Sequence, residues 1–364
     1  MRVPQFAQRP FLALAAVAVT LIGCAGSSEP TVPFNPAGAS EDVAAANATF
    51  SSPVYASFSS LSLLFDAALG GAPLVSGSAA ALVVPAAGGK IEAAGARSLA
   101  RISRMLPRAA NRSLSAYVAA IPPEFLGKTF IYSGGTYVVS TETGAPANGV
   151  RFMLYEIDPL TGLPADPPLP PTGYVDITDF STATTRSARI VVVSGGTTYL
   201  DYRVNVTSTA TAGTVTVLGY VTDGSTRATF NLGATLTAAA GLTLVESIAV
   251  PERDLRIDLR LTENVTTLES STGITMDLRG QNGWVRLTGQ YNSTGGTLDV
   301  LVNGTRFATI SEAVGTGVVI TGADGLPLAP EELEALQRIF DFSGGAFLAF
   351  DQLVAPVGTF LGGV

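Results

Sequence analysis

Histidine is missing altogether from this chain of 364 residues, and cysteine and tryptophan occur once each. The first absence removes the commonest general base and the commonest transition-metal ligand. Ser-His-Asp triads and Cys-His dyads are excluded with it, and so are histidine-bearing zinc sites. A single cysteine, Cys24, forms no internal disulfide, so the core must hold by burial alone. Lysine is nearly as scarce. Neither Lys90 nor Lys128 ends an S-x-x-K, and no G-x-S-x-G, P-loop or G-x-G-x-x-G pattern is present. What remains is carboxylate chemistry, or calcium binding through oxygen ligands.

The cysteine itself is informative. Arg2 and Arg9 form a basic start without acids, and "FLALAAVAVTLI" (residues 11–22) is an apolar run. That run is too short for a membrane-spanning helix, which needs ~20 residues. Residues 1–23 therefore read as an export signal. The junction Leu21-Ile22-Gly23-Cys24 resembles the lipobox of bacterial envelope lipoproteins. The resemblance implies a diacylglyceryl group on the Cys24 thiol, cleavage before Cys24 and acylation of the new amino terminus. Two or three acyl chains anchor stably where one does not, and acylation leaves the protein no free thiolate. Ala25 follows the cysteine in place of Asp, which implies the outer membrane as destination. Residues 24–40, with small residues and prolines, are expected to form the anchor and a flexible tether.

The chain carries 21 basic and 29 acidic residues; without Arg2 and Arg9 the balance is 19 against 29, a net −10. Such acidity argues against nucleic acid as a partner. The expected partner is the membrane, reached through the N-terminal lipid anchor, with any protein or lipid partner left open. No cofactor is expected.

The mature chain divides by pattern into an alanine-rich helical region (41–127), a β region (128–325) and a C-terminal helical segment (326–364). After Ser51-Ser52, Pro53 suits a first helical position, and Val54, Phe58, Leu61, Phe65 and Leu69 then recur at helical spacing. A second helical segment is expected near residues 91–106. From 128 onwards threonine, valine and glycine alternate with period two, the strand signature. Three short turns test it. Asp223-Gly224 pairs Val217 with Phe230, Asn282-Gly283 pairs Leu278 with Leu287 and Ile274 with Tyr291, and Asn303-Gly304 pairs Val300 with Phe307. "RDLRIDLRL" (253–261) puts leucines and isoleucine on one face, and Asp254, Arg256, Asp258 and Arg260 on the other. Pro330 with Glu331, Glu332 and Glu334 opens a last helix, which Gly344-Gly345 is expected to break.

The fold class that follows is mainly β with flanking helices (α+β). It is a curved or closed antiparallel meander whose apolar face is covered by the N- and C-terminal helices. An outer-membrane barrel would need aromatic girdles and would make a lipid anchor redundant.

Candidate sites are few. Asp254 and Asp258 would lie ~13 Å apart along a strand, too far for a hydrolytic carboxylate pair at ~5–9.5 Å. Their alternation with arginine suits a self-neutralising solvated face. Asp158, Asp166, Asp176 and Asp179 lack EF-hand spacing for calcium, so no metal site is assigned. Tyr199, Tyr220 and Trp284 fall on the polar face of their strands. Arg97, Arg101, Arg104, Arg108 and Arg112 step at helical spacing, a contact surface for anionic headgroups or a plain solvated face interrupted at Pro107. The sequence therefore points to a non-enzymatic envelope lipoprotein with a structural or binding role. A carrier or chaperone for lipid or lipoprotein acyl chains is the alternative, and a carboxylate hydrolase comes third.

Overall fold

The computed structural model of the protein describes residues 34–68, 120–164, 170–209, 211–237, 241–264, 271–292, 295–313 and 317–362, all within the unit Val32–Val364. Two helices come first, α1 (Pro36–Thr49) and α2 (Pro53–Ala68). The Asn35 side chain accepts from the Gly38 N–H at 3.2 Å, and Pro36 fills the first turn. Residues 36–40 are therefore helical, although they read as tether. A capping Asn followed by Pro starts a helix, and Ala39, Val43 and Ala46 give it a buried face. Helix α2 begins as expected, with Ser52 Oγ accepting from the Tyr55 N–H at 3.2 Å. Phe58 and Leu61 of its apolar stripe are fully buried and Val54 is half-buried. The Phe65 side chain, Leu69 and the helical segment expected near 91–106 lie outside what is described.

Fifteen strands follow among the described residues: β1 (Lys128–Ser133), β2 (Thr136–Ser140), β3 (Gly149–Leu154), β4 (Gly173–Asp179), β5 (Arg186–Ser194), β6 (Thr197–Ser208), β7 (Ala212–Thr222), β8 (Arg227–Thr237), β9 (Gly241–Val250), β10 (Leu255–Asn264), β11 (Ser271–Gly280), β12 (Gly283–Asn292), β13 (Gly295–Val302), β14 (Thr305–Ala313) and β15 (Gly317–Gly322). They make one sheet in which β3 to β15 keep chain order, each antiparallel to the next. The start departs from that meander. Strand β1 lies parallel to β3, with β2 hairpinned on its other side.

Alternation sends one face of nearly every strand into a common core. Val217, Phe230, Leu232, Leu278, Leu287 and Val300, expected on one side, are all buried in a single cluster. The registers are finer than the faces, and all three expected pairings differ, two through the turn and one through a bulge. Thr222 pairs with Arg227, so four residues (223–226) make the β7–β8 connection and Val217 faces Leu232. The Asp223 carboxylate explains the longer loop, because it accepts from the N–H groups of both Ser225 and Thr226 at 2.8 Å. Gly280 pairs with Gly283, so Gln281-Asn282 forms the next turn and Leu278 faces Val285, with Ile274 opposite Gly289. Both differences are shifts of two residues, which preserve the face. The Asn303-Gly304 turn is as expected, with φ of 49° and 80° at its two residues. A bulge between Val300 and Leu301 then moves Val300 opposite Ala308 instead of Phe307.

Asp254 is a further correction. It ends the 3-10 turn Pro251–Arg253 in a left-handed conformation and stands before β10, outside the strand. The last helix, α3 (Pro330–Gly362), runs unbroken through Gly344-Gly345. Each helical glycine costs ~1 kcal/mol against alanine. Burial of Leu336, Ile339, Phe340 and Phe342 before the pair, and of Leu353, Val354 and Val357 after it, outweighs that.

Tyr202 of β6 joins these elements. Its ring lies edge-on to Phe58 of α2, 6.2 Å between centroids, and at the same distance from Phe230 of β8. Gly219 of β7 stands between Tyr202 and Phe230 in register; a Cβ there would collide with Tyr202. Ser57 Oγ of α2 donates to the Tyr155 carbonyl at 2.7 Å. Helix α1 is latched at its middle: Asp42 accepts from Asn282 Nδ2 at 2.6 Å and from Arg253 Nη1 at 3.4 Å.

Candidate functional site

The polar face of the sheet is where the charged side chains stand, and most described acids there are already engaged. Arg151 forms a two-pronged pair with Asp176 across β3 and β4, at 2.7 and 2.8 Å, with its guanidinium 3.7 Å from the centre of the Tyr174 ring. Arg189 holds Asp201 in the same way across β5 and β6, at 2.9 and 2.7 Å. Asp299 of β13 takes Arg306 of β14 at 2.6 Å. Along β10, Arg256 reaches Asp258 at 2.8 Å. This is the self-neutralisation that the alternating sequence suggests.

The most developed of these clusters surrounds Trp284. Asp277 of β11 accepts from Arg286 Nε at 2.7 Å and from the indole Nε1 of Trp284 at 3.0 Å. Arg286 and Arg279 lie 4.9 and 5.3 Å from the Trp284 ring centre, within range of cation–π attraction. Partial burial pushes the Asp277 carboxyl up, but the hydrogen bonds from Arg286 and Trp284 outweigh it and hold it below its ordinary value. Tyr220 carries Arg227 over its ring at 3.6 Å. Two of the three aromatics read from sequence on the polar face thus serve as platforms for arginine.

Between β5 and β7 this face holds a shallow groove of about 300 Å³, lined by Arg189, Asp201, Arg203, Leu218, Gly219 and Tyr220. Leu218 projects there, more than half exposed. Its one carboxylate, Asp201, is already taken by Arg189, so the groove offers a contact surface and no free acid.

The acids weighed as calcium ligands do not converge. Asp176 belongs to Arg151. Asp158 accepts from the Leu160 N–H in its loop, and Asp179 from the N–H groups of Ala120 and Ser181. Asp166 lies outside the described residues. Among the described residues no group of three or more acidic or cysteine side chains forms a cation site. Cys24 and the arginines 97, 101, 104, 108 and 112 also lie outside the described residues.

One acid stands apart, on the opposite face. Glu246 sits in β9 between Leu244 and Ile248, directly across from Leu232 of β8 and Leu259 of β10. It is buried, and its Oε2 has no hydrogen-bond partner. Burial alone pushes its carboxyl up to about 8, so it is protonated at neutral pH. The sequence reading passed over it. The signal was there in parity, since Glu246 shares its alternation with Leu242, Leu244, Ile248 and Val250. No family model, curated protein or solved structure matches this chain.

Proposed function

We propose that the protein is a lipid-anchored component of the bacterial cell envelope, held at the outer membrane through Cys24, with a non-enzymatic structural or binding role. The lipobox-like Leu21-Ile22-Gly23-Cys24 supports the anchor. The observation that carries the non-enzymatic part is the engagement of the polar-face carboxylates. Asp176, Asp201, Asp258, Asp277 and Asp299 are each held by an arginine. A carboxylate fixed in a two-pronged pair is a poor general base, because the pair must break before it takes a proton.

In this reading the terminal helices cover the apolar face of a curved sheet. The contacts of Phe58 and Leu353 with Tyr202, and of Ser57 with Tyr155, support that arrangement. Radiolabelled palmitate tests the anchor: it enters the wild type and fails to enter Cys24→Ser, which gentle lysis releases. A Cys24→Ser protein that still takes label or stays membrane-bound overturns the reading.

A second reading, a carrier for acyl chains, is favoured by one observation. The apolar face holds one buried carboxyl, Glu246, among leucines, and its Oε2 has no hydrogen-bond partner. A polar group left unsatisfied in an apolar core is rare in native proteins, and a bound ligand would supply the missing partner.

A further inference from the structure

Glu246 stands on the apolar face of the sheet, in the middle of β9. Its neighbours across the strands and along its own strand are Leu232, Leu259, Leu244 and Ile248, and Glu246 itself keeps 4 % exposure. A buried polar group without a partner costs roughly 1–3 kcal/mol and is rare in native proteins. An apolar residue here would extend the leucine face without that cost. The outer-facing acids of the sheet each have an arginine, so the lone carboxyl inside is a local exception to a rule the rest of the sheet obeys.

We infer that Glu246 is the polar anchor of a binding site for a neutral acyl lipid, whose ester carbonyl or hydroxyl hydrogen-bonds its carboxyl while the chain lies against the leucines of β8 to β10. This inference rests on the carrier reading and names its ligand class. The carboxyl is neutral in these surroundings, so it offers one O–H donor and a carbonyl acceptor. An ester or alcohol group matches that pair of functions. A cationic amine does not, because it would bury two charges with a large desolvation cost. An anionic headgroup would be buried against apolar side chains with no counter-charge.

The test uses the full-length chain with Cys24→Ser in every arm, so that no attached acyl chain competes. The naphthylamine dye N-phenyl-1-naphthylamine reports the apolar site, with 1-monooleoylglycerol and the hydrocarbon 1-octadecene as displacing ligands. Monooleoylglycerol should displace dye at one site per chain. Glu246→Met, of similar length but without a polar end, should weaken monooleoylglycerol about tenfold, the worth of one hydrogen bond. Glu246→Gln keeps a donor and an acceptor and should stay within about threefold of the parent. Displacement by 1-octadecene should be the same in all three. Equal monooleoylglycerol affinity in the parent and Glu246→Met, both cooperatively folded, overturns the anchor and leaves the carrier reading standing. Should Glu246→Met fail to fold, a Glu246→Gln protein that favours 1-octadecene over monooleoylglycerol overturns the anchor instead. Absence of saturable dye binding in the parent overturns the carrier reading and the anchor together.

Discussion

Tyr202 Oη donates a 2.7 Å hydrogen bond to the backbone carbonyl of Leu353, 151 residues further along the chain. The bond fastens β6 to α3 at a point where both are fully closed to solvent. Burial holds the phenol well above its ordinary pKa, so it stays a donor throughout the physiological range. Removing the hydroxyl alone, in Tyr202→Phe, should cost about 1 kcal/mol. Tyr202→Ala also removes the ring that fills the space over Gly219 and should cost about 3–5 kcal/mol. Urea unfolding of both variants separates the two contributions. A Tyr202→Phe midpoint identical to the parent's would show that the bond adds nothing.

Phe58 tests the same junction from the helix side. It is fully buried, with Tyr202 on one side and Tyr55 on the other, ring centres 6.2 and 6.1 Å away. Phe58→Ala should therefore cost about 3–5 kcal/mol, as a core truncation does where neighbours cannot collapse. A cost below about 1 kcal/mol would mean that α2 rests on the sheet without packing into it.

The sequence made the faces legible and the registers less so. Inward residues such as Val217 and Leu278 follow from alternation alone, because a period of two leaves one choice of side. Whether Val217 faces Phe230 or Leu232 depends on the turn, and Asp223 lengthens it through side-chain bonds that two-residue turn rules do not contain. The parallel pairing of β1 with β3 has no local signature, since it joins segments that are not consecutive. Gly344-Gly345 misleads because local propensity is overridden by burial on both sides of the pair. Of the candidate sites, the self-neutralised polar face was readable from charge alternation. Glu246 was also readable, from the parity of its strand, but one acid among leucines invites attention only once its burial is known.

The turn at Asn303-Gly304 gives a sharp contrast between two glycines. Gly304 has φ 80°, a conformation that a Cβ disfavours by about 1–2 kcal/mol. Gly304→Ala should lower stability by that amount. Gly233, in the middle of β8, has an ordinary φ, and a Cβ there would meet only the Val245 carbonyl at 3.9 Å. Gly233→Ala should be neutral or stabilising by a few tenths of a kcal/mol, because it restricts the unfolded chain. Thermal melts of the two variants should move in different directions. An unchanged melt for Gly304→Ala would contradict the assigned turn, and a loss at Gly233 the open space beside it.

Glu246 makes stability depend on pH in a direction opposite to that of a salt-bridged acid. In the unfolded chain its carboxyl ionises near the ordinary value of 4.5, whereas in the fold it holds its proton up to about 8. Between those values the folded state binds a proton that the unfolded state has released, so stability must fall as pH rises. The slope approaches 1.4 kcal/mol per pH unit inside the window and vanishes above about 8, where both states are ionised. Glu246→Gln cannot titrate, and every other group is shared by the two proteins. The difference in unfolding free energy between wild type and Glu246→Gln, measured in urea at pH 5, 6.5 and 8, should therefore shift steadily in favour of the variant. Parallel curves across that range would mean that Glu246 is solvated or partnered in the folded protein.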